Sequence, residues 1–309
     1  MPFERRLVEL EVEVAREENE SDRSELEAAI EHEYERVFAN LTAWQRVQLA
    51  RHPQRPRMLD YLSRILDDFI EFHGDRVVGD DQAVIAGIGR FRGTTVAVVG
   101  QQKGVTTDEK VQRNFGMAHP EGYRKALRVF HMAERLHLPI LSFVDTPAAH
   151  PGIEAEQRGQ GSVIARNILE SLSIDAPMFA VVLGEGGSGG ALGIAVADWI
   201  AMFEYAIYMI CPPERCAEIL WRDVGKKKLA AESLKLTSTD LMDLGVIDSV
   251  LSEPRGGAHR DHDKAAQVLA EEIERFIQWC QDGRWSLDKR RDKFRNMGVW
   301  LETGADGGG

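Results

Sequence analysis

A glycine-rich segment between two apolar stretches is the strongest candidate for chemistry in this sequence. Residues 184–190 read Gly-Glu-Gly-Gly-Ser-Gly-Gly and separate the apolar run 178–183 from small residues that begin at Ala191. Consecutive glycines occur where the backbone approaches another group closely or adopts a positive φ. At the N-terminus of a helix, backbone amides are unpaired and lie at the positive end of the helix dipole. The segment therefore predicts either a cradle for a phosphate, carboxylate or oxyanion, or a tight turn with close packing.

A P-loop and an oxyanion hole are two chemistries that place glycines between a strand and a helix. A P-loop ends in Gly-Lys-Ser/Thr, whereas this segment ends in Gly189-Gly190-Ala191, so nucleotide binding of that type is not predicted. Backbone amides can also stabilise an oxyanion without any side-chain nucleophile, and this chemistry stays open. Glu185 suggests a general acid, but such sites usually need a pair of carboxylates, and no second one is evident.

A serine hydrolase is a third chemistry that fits the glycine-rich segment. Gly186 to Gly190 match the pattern G-x-S-x-G around Ser188, and Asp248 and His259 follow in the order found in α/β-hydrolases. Against it, no HGGG-type oxyanion segment lies upstream, and a pattern made mostly of glycine matches readily by chance. The hydrolase stays open as an alternative at this point.

Composition and charge exclude several broad classes of protein. The 309 residues contain 50 acidic and 38 basic side chains, which gives a net charge of −12. The chain therefore has no overall positive field that would attract the phosphates of a nucleic acid. The longest apolar runs are too short to span a membrane, and the N-terminus lacks the apolar core of a signal peptide. Three cysteines make neither a disulfide framework nor a four-cysteine zinc site, so no metal site is predicted. These features predict a soluble, cytoplasmic protein.

Short apolar runs alternate with helical patterns over most of the chain, and this alternation predicts an α/β layered fold. The predicted strands are 84–91, 94–100, 140–144, 178–183, 199–203, 206–210 and 246–251, and the predicted helices between them include 157–172, 213–221 and one that begins at Pro120.

The pattern divides the chain into four stretches. Residues 1–50 contain two amphipathic helices, whose apolar stripes must be buried against the main body or a partner chain. Residues 51–260 carry the α/β alternation, and residues 261–300 form a C-terminal helical extension. The glycine-rich residues 301–309 are predicted to be disordered, because they contain almost nothing to bury.

Several blocks between about Trp44 and Arg260 form a specific pattern. They read ARHPQRPRMLDYL, FHGDR, GQQKG, RNFGMAHPEGYRKALRVFHMAER, IARNILE, GEGGSGGALGIAVAD, CAEILW and IDSVLSEPRGGAHR. Together they closely resemble the carboxyltransferase alpha subunits of acetyl-coenzyme A carboxylase. The resemblance implies a crotonase-type α/β fold, in which ββα units wind into a superhelix, with a helical arm at the N-terminus and a helix at the C-terminus.

The resemblance also implies an activity and the residues that carry it. Enzymes of this family move a carboxyl group from carboxybiotin, held on a separate carrier protein, to acetyl-coenzyme A (acetyl-CoA), which becomes malonyl-CoA. By analogy, the amides of Gly189 and Gly190 are catalytic as an oxyanion hole on the biotin side, and Gly186, Gly187 and Ser188 contact substrate. No cofactor is expected to be bound covalently to this chain, and no basic side chain is required, because biotin released from its carboxyl group can take the acetyl proton.

The partners that the resemblance implies are the other components of the carboxylase. A beta subunit is expected to complete the active site in an α2β2 assembly and to supply the oxyanion hole for the thioester. The biotin carboxyl carrier protein and biotin carboxylase complete the expected partner set. Neither a membrane nor a nucleic acid is expected to bind this chain.

One loop departs from the pattern of the family. The family has DTPGAYPG where this chain has DTPAAHPG, so Ala148 replaces a glycine and His150 replaces a tyrosine, with Ala149 between them. All three are candidate substrate-binding residues. An alanine disfavours a positive φ and adds a methyl group where the backbone can approach a ligand. A non-catalytic scaffold subunit is therefore a further alternative.

Overall fold

A computed structural model describes residues 1–298 of the chain, and its centre is an eight-stranded sheet. The strands are β1 (Phe69–Glu71), β2 (Val84–Phe91), β3 (Thr94–Gln101), β4 (Ile140–Thr146), β5 (Met178–Gly187), β6 (Trp199–Phe203), β7 (Ile207–Met209) and β8 (Ser249–Leu251). Their order in the sheet is β1-β2-β3-β4-β5-β6-β8, with β7 also paired to β5. The predicted bounds of β2 and β6 are confirmed, whereas β1 was not predicted from the sequence.

The sheet combines an antiparallel edge with a parallel centre. β1, β2 and β3 pair antiparallel, and β2 and β3 form a hairpin that turns at Arg92-Gly93. From β3 through β4, β5 and β6 to β8 every pair is parallel. Parallel neighbours need crossover connections, and the helices that supply them cover the sheet. β4 and β5 are buried along their whole length, which explains their continuous apolar sequences.

Helices make up most of the remaining described chain. They are α1 (Arg5–Val14), α2 (Glu20–Phe38), α3 (Ala43–Ala50), α4 (Met58–Ile65), α5 (Thr107–Gln112), α6 (Pro120–Leu136), α7 (Ile153–Gln157), α8 (Gln160–Ser171), α9 (Ser188–Ala195), α10 (Pro213–Trp221), α11 (Lys227–Ser233), α12 (Ser238–Asp243), α13 (His262–Gln281) and α14 (Leu287–Arg295). The helices predicted from Pro120 and over 213–221 are confirmed. None of the helices over residues 1–298 is long and apolar enough to cross a membrane.

The strand before the glycine-rich segment is longer than predicted. The apolar run predicts a strand that ends at residue 183, but β5 continues to Gly187, and α9 begins at the next residue. The extension pairs with β7, in which Ile207 lies opposite Glu185 and Met209 lies opposite Gly187. Pairing with β7 supplies the hydrogen bonds that make the extension a strand, and this partner lies 20 residues further along the chain.

The N-terminal arm, which consists of α1 and α2, packs on the body of the same chain. Leu7 and Leu10 of α1 and Val37 of α2 are buried. Glu11 accepts hydrogen bonds from the Tyr34 hydroxyl at 3.1 Å and from Arg260 at 2.8 Å, so it joins the arm to the segment before α13. The predicted disorder of residues 301–309 concerns residues outside the described part of the chain.

Candidate functional site

The junction of β5 and α9 is a sharp turn in which glycines meet a neighbouring loop. Ser188, the first residue of α9, has a φ of +51°, which is uncommon for a residue with a side chain. A Cβ atom on Gly187 would lie 2.0 Å from the carbonyl oxygen of Pro147, and one on Gly190 would lie 2.5 Å from the carbonyl carbon of Ala148. Both positions therefore require glycine. A Cβ atom on Gly189 would make only an ordinary contact, at 3.5 Å from the Ile164 side chain.

The amides of Gly189 and Gly190 occupy the second and third positions of α9. At these positions the N–H groups precede the first hydrogen bond of the helix, and no acceptor within residues 1–298 takes their protons. The turn between strand and helix therefore presents two adjacent donors at the positive end of the helix dipole. This is the arrangement that an oxyanion hole requires.

Two buried side chains hold the peptide group that follows Gly190. The Gln101 side-chain amide donates to the Gly190 carbonyl oxygen at 2.9 Å, and the Tyr123 hydroxyl donates to the same oxygen at 3.2 Å. The Gln101 side-chain oxygen in turn accepts the backbone N–H of Asp145 at 3.1 Å. Burial raises the pKa of Tyr123, so this hydroxyl keeps its proton. Sequence reasoning missed both side chains, although Gln101 lies in the block GQQKG.

A network of buried charges lies at the end of β5. The Lys103 ammonium group contacts Glu185 at 2.6 Å and Asp145 at 2.9 Å. Arg51 contacts Glu185 at 2.6 Å and Glu214 at 2.7 Å. The Asp145 side chain also accepts the backbone N–H of Glu185 at 3.0 Å. The network therefore ties the ends of β3, β4 and β5 to the segment after α3.

The charge state of Glu185 follows from these contacts. Burial raises its pKa, but the charges of Lys103 and Arg51 outweigh burial and lower the pKa to about 2. Burial likewise lowers the pKa of Lys103, but the charges of Asp145 and Glu185 raise it above its usual value. Glu185 is therefore a carboxylate at neutral pH and has no proton to donate as a general acid.

Two cavities flank the glycine-rich segment. The first, called the ionic cavity below, has a volume of about 280 Å³ and is lined by charged and polar residues from four parts of the chain. Its lining residues are Ala50, Arg51, His52, Pro53, Arg55, Arg57, Lys103, Lys110, Phe115, Asp145, Pro147 and Glu185. Five of them are Lys or Arg and two are acidic, so the ionic cavity has an excess of positive charge.

The second cavity, called the apolar cleft below, begins at Ser188 and has a volume of about 300 Å³. Ser188, Leu192, Tyr208, Met209, Ile210, Leu234, Lys235, Leu241, Leu244 and Val246 line it. Lys235 is the charged member of this set, and the set contains no histidine and no carboxylate. The glycine-rich segment thus has a charged cavity on the Glu185 side and an apolar one on the Ser188 side.

The loop between β4 and α7 accommodates its unusual residues. The backbone at Ala148 does not adopt a positive φ, so the alanine is not strained there. The Thr146 hydroxyl donates to the Ala148 carbonyl at 2.7 Å, and Ala149 packs partly buried against the core. The backbone of Ala148 and Ala149 lies directly against Gly190. The backbone of both alanines, and not their side chains, therefore lies next to the two free amides.

The His150 ring lies between two polar side chains. Asn114 donates to its Nδ1 at 2.7 Å, and its Nε2 lies 2.6 Å from the Glu154 carboxylate. The ring also stacks on His119, with ring centroids 4.2 Å apart. Because the Asn114 amide also donates to the Met117 carbonyl, its orientation is fixed, and His150 carries its proton on Nε2. His150 therefore braces the loop through its ring.

The structure does not assemble the predicted serine hydrolase triad. His259 stacks on His52 with ring centroids 3.8 Å apart, and Asp248 pairs with Lys293 at 2.5 Å and accepts the Ile200 N–H at 2.7 Å. Neither residue lines the apolar cleft that Ser188 borders. Burial, together with the charge of His52, lowers the pKa of His259 to about 3. The hydrolase hypothesis is wrong, because Asp248 and His259 have other partners. The order of residues along the chain matched a triad, but order alone does not place side chains in contact.

Two groups of histidine and acidic side chains within residues 1–298 have ligand atoms within 4.8 Å of one another. One contains Glu4, His52 and His259, and the other contains His119, His150 and Glu154. In the second group, His150 already uses both ring nitrogens in hydrogen bonds to Asn114 and Glu154. Neither group includes a residue of the glycine-rich segment.

Solved structures with a similar fold include a carboxylase subunit and a transcarboxylase. The beta subunit of geranyl-CoA carboxylase from P. aeruginosa has a TM-score of 0.58 at 15% identity, over 84% of this chain and 48% of that one. Transcarboxylase 12S with methylmalonyl-CoA and methylmalonic acid bound has a TM-score of 0.57 at 17% identity, over 81% of this chain and 43% of that one. The crotonase-type α/β fold that the sequence predicted is thus confirmed.

Sequence comparison defines the family within this class. Residues 1–298 match the family described as acetyl co-enzyme A carboxylase carboxyltransferase-like. The acetyl-coenzyme A carboxylase carboxyl transferase subunit alpha of Geobacter metallireducens is 52% identical over 90% of this chain and 88% of its own. The subunit of the same name from Prochlorococcus marinus is 50% identical over 98% and 95%. The chain belongs to the family of acetyl-CoA carboxylase carboxyltransferase alpha subunits.

Proposed function

We propose that this chain supplies the biotin side of a carboxyltransferase site that moves a carboxyl group from carboxybiotin to acetyl-CoA. The pair of free amides at the start of α9 carries this proposal. When the carboxyl group leaves, negative charge develops on the ureido oxygen of biotin, and the amides of Gly189 and Gly190 face that oxygen. Fixed donors stabilise such a charge without any reorganisation of solvent.

The surroundings of the amides support this role, because they are rigid. Gln101 and Tyr123 fix the carbonyl of Gly190, and the loop at Ala148 and Ala149 packs against its Cα atom. The charges of Lys103 and Glu185 neutralise each other and fix the end of β5. These residues position the donors, while the proton of acetyl-CoA passes to released biotin.

The remaining candidate residues surround the same turn. Gly186 and Gly187 are buried at the end of β5 and Ser188 is half-buried at the start of α9, and we assign all three to contact with the substrate. Ala148, Ala149 and His150 form the facing loop. The substrates are carboxybiotin on a carrier protein and acetyl-CoA, and no cofactor is bound covalently to this chain in the proposal.

The proposal requires partner subunits. A beta subunit completes the site and holds the thioester, in an α2β2 assembly, while the biotin carboxyl carrier protein and biotin carboxylase deliver the carboxyl group. Relatives of this chain are named as subunits of the same carboxylase, which supports this partner set. We place the reaction in the cytoplasm, and the free thiols of Cys211, Cys216 and Cys280 support a reducing compartment.

The test measures the reverse reaction with one glycine variant in the turn and one outside the site. This chain is mixed with the beta subunit from the same organism, malonyl-CoA and biocytin, and release of acetyl-CoA is followed. Gly190→Ala adds a methyl group 2.5 Å from the Ala148 backbone and moves the amides, so kcat should fall by about 10²–10³. Gly161→Ala, the control, adds a methyl group on α8 with no heavy atom within 4 Å and should keep kcat within about threefold.

Size-exclusion chromatography of each mixture separates a lost site from a lost complex. The proposal requires the Gly190→Ala chain to bind the beta subunit as the original chain does. If the original chain forms this complex but shows no turnover, the scaffold alternative is correct. If Gly190→Ala keeps full kcat, the amides of Gly189 and Gly190 are not the oxyanion hole.

A further inference from the structure

A groove between α6 and α8 concentrates arginine on a chain whose net charge is −12. The groove, called the arginine groove below, has a volume of about 360 Å³. Asp75, Arg124, Leu127, Arg128, His131, Arg135, Val163 and Arg166 line it. On α6, its residues Arg124, Arg128, His131 and Arg135 recur every three or four positions and therefore lie on one face of that helix. None of the residues that line the arginine groove lines the ionic cavity or the apolar cleft.

Two of these arginines are neutralised by nearby carboxylates. Arg124 contacts Asp75 at 2.7 Å and Glu121 at 3.1 Å. Arg166 contacts Glu170 at 2.5 Å, and the same carboxylate also lies 2.6 Å from His131. These pairs form the walls of the groove and contribute little free charge.

The other two arginines have no carboxylate within 4.0 Å among residues 1–298. Arg128 donates only to the backbone carbonyls of His73 and Gly74, at 3.1 Å and 2.9 Å. Arg135, exposed near the end of α6, has no ion pair in the described part of the chain. The groove therefore contains two arginines without an ion pair among residues 1–298, although the charges of Asp75 and Asp80 act on Arg128 from a greater distance.

Arg128 also has a polar atom without a partner. Its Nε–H is buried and meets no acceptor within residues 1–298. Burial lowers the pKa of Arg128, and the charge of Arg76 lowers it further. A buried donor without an acceptor is unfavourable, and an anion in the groove would balance the charge of Arg128. Because the Nε–H is buried, the anion would contact the outer amino groups of the guanidinium.

We propose that the arginine groove is a binding site for a small phosphate-bearing anion, of the diphosphate class. Phosphate oxygens match the planar donor fork of arginine, and all four fixed cations that line the groove are arginine rather than lysine. Arg128 and Arg135 lie two helical turns apart, about 10.5 Å between Cα atoms, so their long side chains suit an extended anion with two phosphoryl groups. A single phosphate would engage fewer of these donors.

The test measures binding of inorganic pyrophosphate to the full chain by calorimetry at low ionic strength. Arg135→Gln is the main variant, because Arg135 has no described contact to lose, and Arg128→Gln is the second. Arg295→Gln, which removes an exposed arginine at the end of α14, is the control for net charge. Lys110→Gln is a control in the ionic cavity, which is also rich in cations.

The expected result is saturable binding that weakens about tenfold or more in Arg135→Gln and in Arg128→Gln, and remains unchanged in Arg295→Gln. Orthophosphate should bind more weakly than pyrophosphate. Absence of saturable binding overturns the proposal, and so does equal binding by Arg135→Gln and the original chain. A loss confined to Lys110→Gln overturns it as well, because the anion then occupies the ionic cavity. This binding measurement does not need turnover with malonyl-CoA and biocytin. Failure of the anion-site proposal is therefore distinguishable from failure of the proposed function.

Discussion

The ionic cavity and the apolar cleft have nearly equal volumes, about 280 and 300 Å³, and opposite chemistry. In the ionic cavity, Lys103 and Glu185 neutralise each other, and their positions depend on one another. In the apolar cleft, Leu241 and its neighbours contact one another through side chains without charge. The glycine-rich segment lies at the boundary of the two.

The difference shows how one turn can be held from two sides by different forces. Ion pairs in a buried network are strongly coupled, so the loss of one partner leaves another charge uncompensated. Apolar contacts depend on area and volume, so the loss of one methyl group has a graded cost that does not depend on pH. Substitutions on the Glu185 side of the turn should therefore have large effects on stability that depend on pH. Substitutions on the Ser188 side should have graded effects on stability that do not depend on pH.

The largest expected effect is that of Glu185→Gln. This change leaves Lys103 with one carboxylate and removes a partner of Arg51, so the free energy of unfolding should fall by about 3–5 kcal/mol. Urea unfolding measures it. Glu214→Gln is the matched control, because it removes only the outer partner of Arg51. The Glu214 side chain is a third exposed, so this change should lower the free energy of unfolding by about 1 kcal/mol or less. Equal costs for the two variants would mean that the network is not coupled.

The next effect is that of Leu241→Ala on the other side of the turn. Leu241 is buried where it lines the apolar cleft, so its truncation should lower the free energy of unfolding by about 2–3 kcal/mol. Leu244 lines the same cleft but is 58% exposed, and Leu244→Ala should cost about 0.5 kcal/mol or less. Urea unfolding of both variants gives the comparison. A larger cost for Leu244→Ala would show that the cleft is covered in solution.

Acid should distinguish the two sides directly. The pKa of Glu185 is about 2 in the folded chain and 4.5 when unperturbed, so its contribution to stability is present above pH 4.5 and is lost as the pH falls towards 2. The difference in unfolding free energy between the original chain and Glu185→Gln should therefore shrink by about 2 kcal/mol between pH 7 and pH 3. The difference for Leu241→Ala should stay constant, because leucine does not titrate. A constant difference for Glu185→Gln would contradict the lowered pKa.

The smallest effect concerns the loop at the edge of the ionic cavity. His150→Ala removes the hydrogen bonds to Asn114 and Glu154, and should lower the free energy of unfolding by about 1 kcal/mol. Glu154→Gln, whose side chain is 53% exposed, keeps a hydrogen-bonding group and should cost less. Thermal unfolding of the two variants tests whether His150→Ala costs more stability than Glu154→Gln. If His150→Ala costs nothing, the ring does not brace the loop.

The sequence predicted the parts of the site that depend on local pattern. A short apolar run before the turn at Arg92-Gly93 predicted β2, and the glycines between an apolar run and small residues predicted the turn at Ser188. Resemblance to the family added Gly189 and Gly190, whose amides the structure leaves without acceptors within residues 1–298.

The parts that it missed depend on contacts between distant residues. Gln101 lies 89 residues before the Gly190 carbonyl that it holds, and no periodicity indicates such a pair. The extension of β5 to Gly187 needs β7 as a partner, and the apolar run alone ends at residue 183. The same lack of distance information made Asp248 and His259 look like partners of Ser188.

The contact between the N-terminal arm and the body has a consequence for biosynthesis. Glu11 and Arg260 are separated by 249 residues, so α1 leaves the ribosome long before its partner exists. At about 5–20 residues per second, the interval is roughly 12–50 s. During that time Glu4 and Glu11 lack the side chains of His259 and Arg260 that they contact in the folded chain, and a chaperone has its longest opportunity to bind the nascent arm.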